Sequence, residues 1–251
     1  MSDIFISFKE KVYNNQQSST AIQALKNIEI TIASKEFVSI VGPSGCGKTT
    51  LMNIIGGLIE ANEQQILVNN KKLNNNNSFG YIFQTSRLMP WLTLFENVKL
   101  VCNSNSEINH KVENILENFG LKDFVHAYPN TISGGMRRRA SMARAFINNP
   151  EILLMDEPFV SLDQPAAEDL YNVLISYWRR NPTTILLITH SVKEAILLSN
   201  RILFMTKRPG SILIDYKVKS SRSILKIDNK EVEKEYSLLV KKFPQLLKGI
   251  I

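Results

Sequence analysis

Residues 37–49 read Phe37-Val38-Ser39-Ile40-Val41-Gly42-Pro43-Ser44-Gly45-Cys46-Gly47-Lys48-Thr49, and this stretch decides the fold. A continuous apolar run stops at Gly42, a glycine-rich turn follows, and apolar residues then recur at Leu51, Ile54, Ile55 and Leu58. That order predicts a buried strand, a loop and a helix, the setting a G-x-x-x-x-G-K-[ST] phosphate loop requires. Glycines without Cβ atoms let successive backbone N–H groups curl around phosphate oxygens, while the helix turns its positive N-terminal end to the same anion. Lys48 would reach the β and γ phosphates, Thr49 would place its hydroxyl on Mg²⁺, and Thr50 continues the loop into the helix. From average residue usage, such an octamer arises by chance in roughly 1% of chains this long, before its context is required.

Working outward, Ile152 to Met155 is a second buried-strand signal, and it delivers Asp156 and Glu157 at its carboxyl end, where open α/β sheets bind ligands. Asp156 suits Mg²⁺, and Glu157 suits a general base that polarises water. The plainer alternative is a pair of acids capping the next helix. Thr184 to Ile188 is a third apolar run and ends in Thr189-His190. His190 there suits a hydrogen bond to a γ-phosphate, against the alternative of a satisfied buried histidine. Gln84, after Tyr81-Ile82-Phe83, suits Mg²⁺ or the attacking water, against an ordinary surface glutamine. Ser133-Gly134-Gly135-Met136 precedes a helical run from Arg137 to Phe146, which makes either a second anion site or a plain serine N-cap.

Ile28, Ile30 and Ile32 alternate with polar residues and predict a half-buried strand paired near Phe5 to Phe8, an antiparallel piece with Asn14 to Thr20 as its loop. Asn74 to Asn77 is a low-complexity loop. From about Thr85 to Asn149 the spacing is helical, as at Val112, Ile115, Leu116 and Phe119. Strand signals return at Ile152, Thr184 and Ile202, separated by helical segments such as Ala166 to Trp178, which implies a parallel sheet with right-handed crossovers. Beyond Ser220 the chain is charged and predicts one or two helices.

The 251 residues are 44% hydrophobic and 21% charged, ordinary globular usage that excludes a disordered chain or a coiled-coil rod. No apolar run approaches the roughly 18 residues that cross a bilayer, and the first residues hold no apolar signal segment, so a cytoplasmic location is expected. Cys46 and Cys102 are too few for a disulfide framework or a zinc site. With 30 Lys and Arg against 23 acids the net charge is +7, which favours anionic partners such as nucleotides, nucleic acid or a negative membrane face.

Taken in order and spacing, the phosphate loop, Gln84, Ile132 to Met136, Leu153 to Glu157, Ser161-Leu162-Asp163 and His190 resemble the ATPase subunits of ABC transporters, over roughly residues 5 to 215. Met89-Pro90-Trp91-Leu92-Thr93, the Gly134-Gly135-Met136 form of the signature, Tyr177-Trp178 and Arg208-Pro209-Gly210 are similar to the importers of nitrate, sulfonate and taurine. The resemblance implies an α/β fold, that of a P-loop NTPase with a RecA-like parallel sheet core, an N-terminal antiparallel β piece and an α-helical subdomain insertion. The core would comprise residues 1–84 and 150–215, the helical subdomain 85–149 and a short tail 216–251.

It further implies ATP and Mg²⁺, with Gln84 as the Q-loop glutamine, Ser133 to Met136 as the signature, Asp163 as the D-loop aspartate and His190 as the switch histidine. The implied unit is a head-to-tail homodimer at the cytoplasmic face of the membrane. Separate permease subunits would be received by the region from Gln84 to Trp91, Trp91 alternatively being core, and a separate binding protein would deliver the solute. Tyr13 resembles the aromatic that stacks on adenine, with Phe8 as the alternative because residues 14–20 lengthen the following loop. Lys35 stands where the family has glycine, Ala61 to Gln64 replaces its usual turn, and Ser191 stands where aspartate is common, so those turns are expected to be built differently. Nucleic acid is not an expected partner, because an ABC-type ATPase acting on nucleic acid or ribosomes calls for two cassettes or a long coiled coil. An inactive partner cassette is disfavoured by Glu157 and His190, and the catalytic motifs leave export open. Cys46 beside a helix N-terminus suggests a favoured thiolate, against a small filler residue.

Overall fold

The computed structural model describes residues 3–14, 21–69, 71–72, 79–103, 106–219 and 225–244. In chain order the first elements are β1 (Ile4–Asn14), β2 (Ala21–Ile32), β3 (Phe37–Val41), α1 (Lys48–Ile55), β4 (Gln65–Val68), β5 (Lys71–Lys72) and β6 (Phe79–Ile82). Then come α2 (Leu94–Lys99), α3 (Ile108–Asn118), α4 (Gly134–Phe146), β7 (Ile152–Asp156) and α5 (Gln164–Arg180). The last are β8 (Thr184–Thr189), α6 (Val192–Leu198), β9 (Arg201–Met205), β10 (Ile212–Lys217) and α7 (Lys230–Lys242). The chain divides into two compact units, one of residues 1–77 with 184–251, the other of residues 78–183.

In the first unit, β1 and β2 pair antiparallel with Ile4 opposite Ile32, Ile6 opposite Ile30 and Phe8 opposite Ile28, and these six side chains are buried. Period-two alternation aims them to one face while Glu29 and Thr31 stay exposed. Asn14 ends β1 opposite Ala21 and so belongs to a strand; residues 15–20, the rest of the expected loop, and Asn74 to Asn77 lie outside the described residues.

All five residues of β3 and all six of β8 are buried, as strands covered on both faces must be. β3 runs parallel to β8 and to β9, and β10 returns antiparallel beside β9. Along β10 half-buried and exposed residues alternate, a strand that no apolar run in the sequence marks. α6 packs on this sheet and α7 packs on α6.

α1 ends earlier than its apolar spacing predicts. Its C-cap is Gly56, Gly57 takes φ +70°, and Leu58, expected on the buried face, is 60% exposed. Two of the departures in the turns now have a geometry. Lys35 itself adopts the left-handed backbone at φ +61°, with its N–H donating to Thr184 Oγ1 at 3.0 Å. Gln64 Oε1 accepts from Ala61 N at 2.9 Å and closes the 61–64 turn.

In the second unit β6 and β7 pair parallel, and helices α2 to α5 supply the rest. Phe119, Phe146 and Tyr177 pack mutually, with ring centroids 4.9 to 5.9 Å apart, joining the end of α3 to α4 and α5. Among the described residues no helix is long and apolar enough to cross a membrane.

Candidate functional site

The phosphate loop leaves β3 at Val41 and enters α1 at Lys48. Gly47 is the N-cap of α1 at φ +106°, where an L side chain is strained, and a Cβ there would lie 2.7 Å from Leu25 Cδ2. Cys46 N donates to Pro43 O at 3.3 Å, and Leu51 N to Gly47 O at 2.8 Å. The Lys48 ammonium is buried and folds over the loop onto Gly42 O at 2.9 Å and Pro43 O at 3.0 Å. Ser44, Gly45 and Thr49 face solvent at the start of the helix.

Two further supports come from Arg208-Pro209-Gly210, a segment marked in the sequence only by its family likeness. Arg208 donates to Gly45 O through Nε at 3.1 Å and Nη2 at 2.8 Å. Gly210 lies so close beneath that a Cβ would meet Cys46 O at 2.2 Å. No periodicity marks either residue, because both act on backbone groups far away in the chain.

Cys46 is 1% exposed, and burial pushes its thiol above the ordinary range despite the lowering influence of Lys48 and Arg208. Of the two readings of Cys46 the small filler residue therefore holds and the favoured thiolate does not: the side chain fills space against Gly42. Phe8 is likewise removed as an adenine platform, since it is 3% exposed within the β1–β2 face. Tyr13 is 43% exposed, with its hydroxyl 3.5 Å from Thr50 Oγ1 and the Lys11 ammonium 5.2 Å from its ring centroid.

Val41 pairs with Thr189, so Gly42 and His190 leave neighbouring parallel strands at the same end. His190 is exposed, which excludes the buried-histidine alternative. Ser191 caps α6 by accepting from Glu194 N at 3.2 Å, and its own N–H donates to Thr189 Oγ1 at 3.0 Å.

The second unit repeats the device. Ile82 pairs with Met155, so Phe83-Gln84 and Asp156-Glu157 leave β6 and β7 side by side. Glu157 stands at φ +44°, a costly backbone for a non-glycine residue, inside a turn closed by Val160 N to Glu157 O at 3.3 Å. Burial, and then the nearby Asp156 carboxylate, push the Tyr81 phenol upward.

Ser133 is the N-cap of α4 and accepts from Met136 N at 3.2 Å, with Gly134 exposed beside it. Asp163 caps α5, accepting from Ala166 N at 2.8 Å. Trp91 is 70% exposed, so the core-packing alternative does not hold. Its loop is fixed from behind by Asn97, fully buried, which accepts from Met89 N at 2.7 Å and donates to the carbonyls of Met89, Leu92 and Thr93.

The loop geometry fits a polyphosphate: a short-range cradle, a helix N-terminus and a buried cation at one place. Thr49 in the first unit, and Gln84 and Asp156 in the second, each carry an oxygen of the hard type that Mg²⁺ takes. Among the described residues no cluster of three or more His, Cys, Asp or Glu side chains gathers as a metal centre.

Comparison with known proteins agrees with this geometry. Residues 25–160 match the family described as ABC transporter. The chain is 38% identical to the aliphatic sulfonates import ATP-binding protein SsuB of Bacillus subtilis, over 83% of this chain and 82% of that protein. It is 36% identical to the taurine import ATP-binding protein TauB of Ruegeria pomeroyi, over 86% and 83% of the two chains. Among solved structures it is similar to the ATP-binding cassette MJ0796, in a dimeric post-hydrolysis state bound to ADP and Pi. That match has a TM-score of 0.74 and 31% identity, and it covers 87% of this chain and 100% of that one.

Proposed function

We propose, for a chain that belongs to the ABC transporter family and has the P-loop ATPase fold of its cassettes, that it is the ATP-hydrolysing subunit of an importer of a small solute, of the sulfonate, taurine or nitrate class. The observation that carries the reading is the pair of strand registers, Val41 with Thr189 and Ile82 with Met155. They gather phosphate loop and histidine in one unit, glutamine and glutamate in the other.

In this reading the substrate's phosphates lie on the Gly42–Thr49 backbone, Lys48 turns toward the β and γ oxygens, and Tyr13 stacks on the adenine. Glu157 takes a proton from the attacking water, the new bond forms to the γ-phosphorus, and ADP leaves with the bridging oxygen. His190 holds a γ-phosphate oxygen as charge develops there. Bound Mg²⁺ would supply charge neutralisation of the phosphates, and Thr49, Asp156 and Gln84 would hold it.

Ser133 to Gly135 and Asp163 would meet nucleotide held by a second copy, so the working unit is a head-to-tail homodimer. Residues 85–149 form the helical subdomain, and the exposed Trp91 loop receives the permease at the cytoplasmic face of the membrane. A separate solute-binding protein completes the importer. Release of inorganic phosphate from ATP by the purified chain, alone and with its permease, tests the reading; no turnover in either setting contradicts it.

A further inference from the structure

After Gly134-Gly135-Met136, α4 carries three consecutive arginines, Arg137 to Arg139, within its first two turns. The structure separates them. Arg137 folds back to the carbonyls of Pro129 at 3.1 Å and Ile132 at 2.6 Å, while Arg138 is only 7% exposed. A buried guanidinium is costly unless its N–H groups find acceptors. Those of Arg138 are two successive backbone carbonyls: Nη1 donates to Phe83 O at 2.8 Å and Nη2 to Gln84 O.

We propose that Arg138 is a positioning residue for ATP hydrolysis: it fastens the peptide of Gln84 to the helix capped by Ser133, so that the glutamine loop and the Ser133 helix shift as one body. The proposal rests on the function proposed above and adds a residue to it.

The surroundings make the fastening stiff. Two turns further along α4, Arg144 donates to Ser86 O at 3.0 Å and Arg87 O at 2.8 Å. One helix therefore holds four carbonyls between Phe83 and Arg87. The Arg87 guanidinium lies 3.7 Å from the Phe83 ring centroid, and that ring stacks on Tyr81 at 4.1 Å. Beyond it Asn97 holds Met89, Leu92 and Thr93, the residues that flank the exposed Trp91.

Arginine suits this task because one rigid planar fork presents parallel donors to two acceptors and keeps its charge when buried. Lysine concentrates its donors at one point. Glutamine offers a single short amide. Since the acceptors are main-chain groups, Arg138 sets where the Gln84 backbone lies, and thereby where its side chain starts.

The test compares the full-length parent with Arg138→Lys and Arg138→Gln for ATP affinity, kcat, melting temperature and amide hydrogen exchange. Both variants are expected to bind ATP within about twofold of the parent and to lose roughly 10- to 100-fold in kcat, as a misplaced reacting group does. Exchange at the amides of residues 85–89 is expected to rise in both variants while that of α3 and α5 stays unchanged. Parental kcat in a folded Arg138→Lys variant overturns the proposal. So does an unaltered exchange pattern at residues 85–89, a readout that holds even if the parent proves unable to hydrolyse ATP. That last outcome alone would count against the proposed function instead.

Discussion

Val41 and Thr189 face each other across the parallel β3–β8 ladder, and by that register Gly42 and His190 emerge together at the carboxyl edge of the sheet. On the function proposed above, a side chain placed there would reach the phosphate that the loop holds. Replacing His190 by alanine is expected to leave ATP affinity nearly unchanged and to lower kcat by about 100-fold, the cost of one donor to a developing oxyanion. Separate measurement of ATP binding and of single-turnover phosphate release checks it.

Tyr13 stands at the end of β1 with its hydroxyl 3.5 Å from Thr50 Oγ1, the second threonine of the loop's helix. Stacking of a base on an aromatic ring is worth about 1–3 kcal/mol by alanine substitution. Tyr13→Ala is therefore expected to weaken ATP binding by about tenfold or more, and Tyr13→Phe to keep most of the affinity. Titration with ATP and with inorganic triphosphate separates adenine contacts from phosphate contacts, since only the ATP affinity should fall.

Gly210 carries its N–H to Ala24 O at 2.9 Å and its carbonyl to Lys26 N at 3.0 Å, against the underside of the phosphate loop. A methyl group added there would sit 2.2 Å from Cys46 O, a backbone atom that moves only if the loop moves. Gly210→Ala is expected to cost about 1–3 kcal/mol of stability through overpacking. Nucleotide affinity should fall with it. Calorimetry of the melting transition, with and without ATP, measures both.

Burial holds the Cys46 thiol above its ordinary range, so the reactive thiolate is scarce at neutral pH and the sulfur is covered. Alkylation of Cys46 in the native chain is expected to be slow at pH 7 and to quicken as pH rises through and beyond 9, the thiol's ordinary value. In denaturant it should become fast. Mass-spectrometric mapping of time-resolved labelling distinguishes this from a rapid native reaction.

Much of this arrangement is legible in the sequence because it is carried by local pattern. The run Phe37 to Val41 is buried on both faces and apolar at every position but Ser39, and the Gly42–Thr49 loop carries the glycine spacing that phosphate binding requires. Asp156 and His190 are readable because they stand at the carboxyl ends of buried strands, whereas Gln84 follows the half-buried β6 after Phe83 and is marked mainly by its place among the other motifs. What escaped the reading depends on distant partners or on edges. β10 has one side of its ladder and alternating exposure, too weak a period to stand out. Leu58 fits the helical spacing, but Gly56 and Gly57 stop the helix before it. That Phe8 is no platform for a base turns on which face of β1 it occupies, which only its pairing with Ile28 fixes. Arg138 looks like its two neighbours in sequence, and only its carbonyl acceptors on the Gln84 loop set it apart.

The central claim is that two copies of this chain jointly enclose ATP and that Glu157 cleaves it. Glu157→Gln keeps the size of the side chain and removes its basicity, so the most direct measurement is the mass in solution of this variant, by light scattering, with and without Mg²⁺ and ATP. The account predicts a single copy without nucleotide, a stable particle of twice that mass holding two ATP when nucleotide is present, and hydrolysis reduced by more than about 100-fold. A variant that binds ATP yet stays a single copy, or one that turns ATP over at the parental rate, would contradict it.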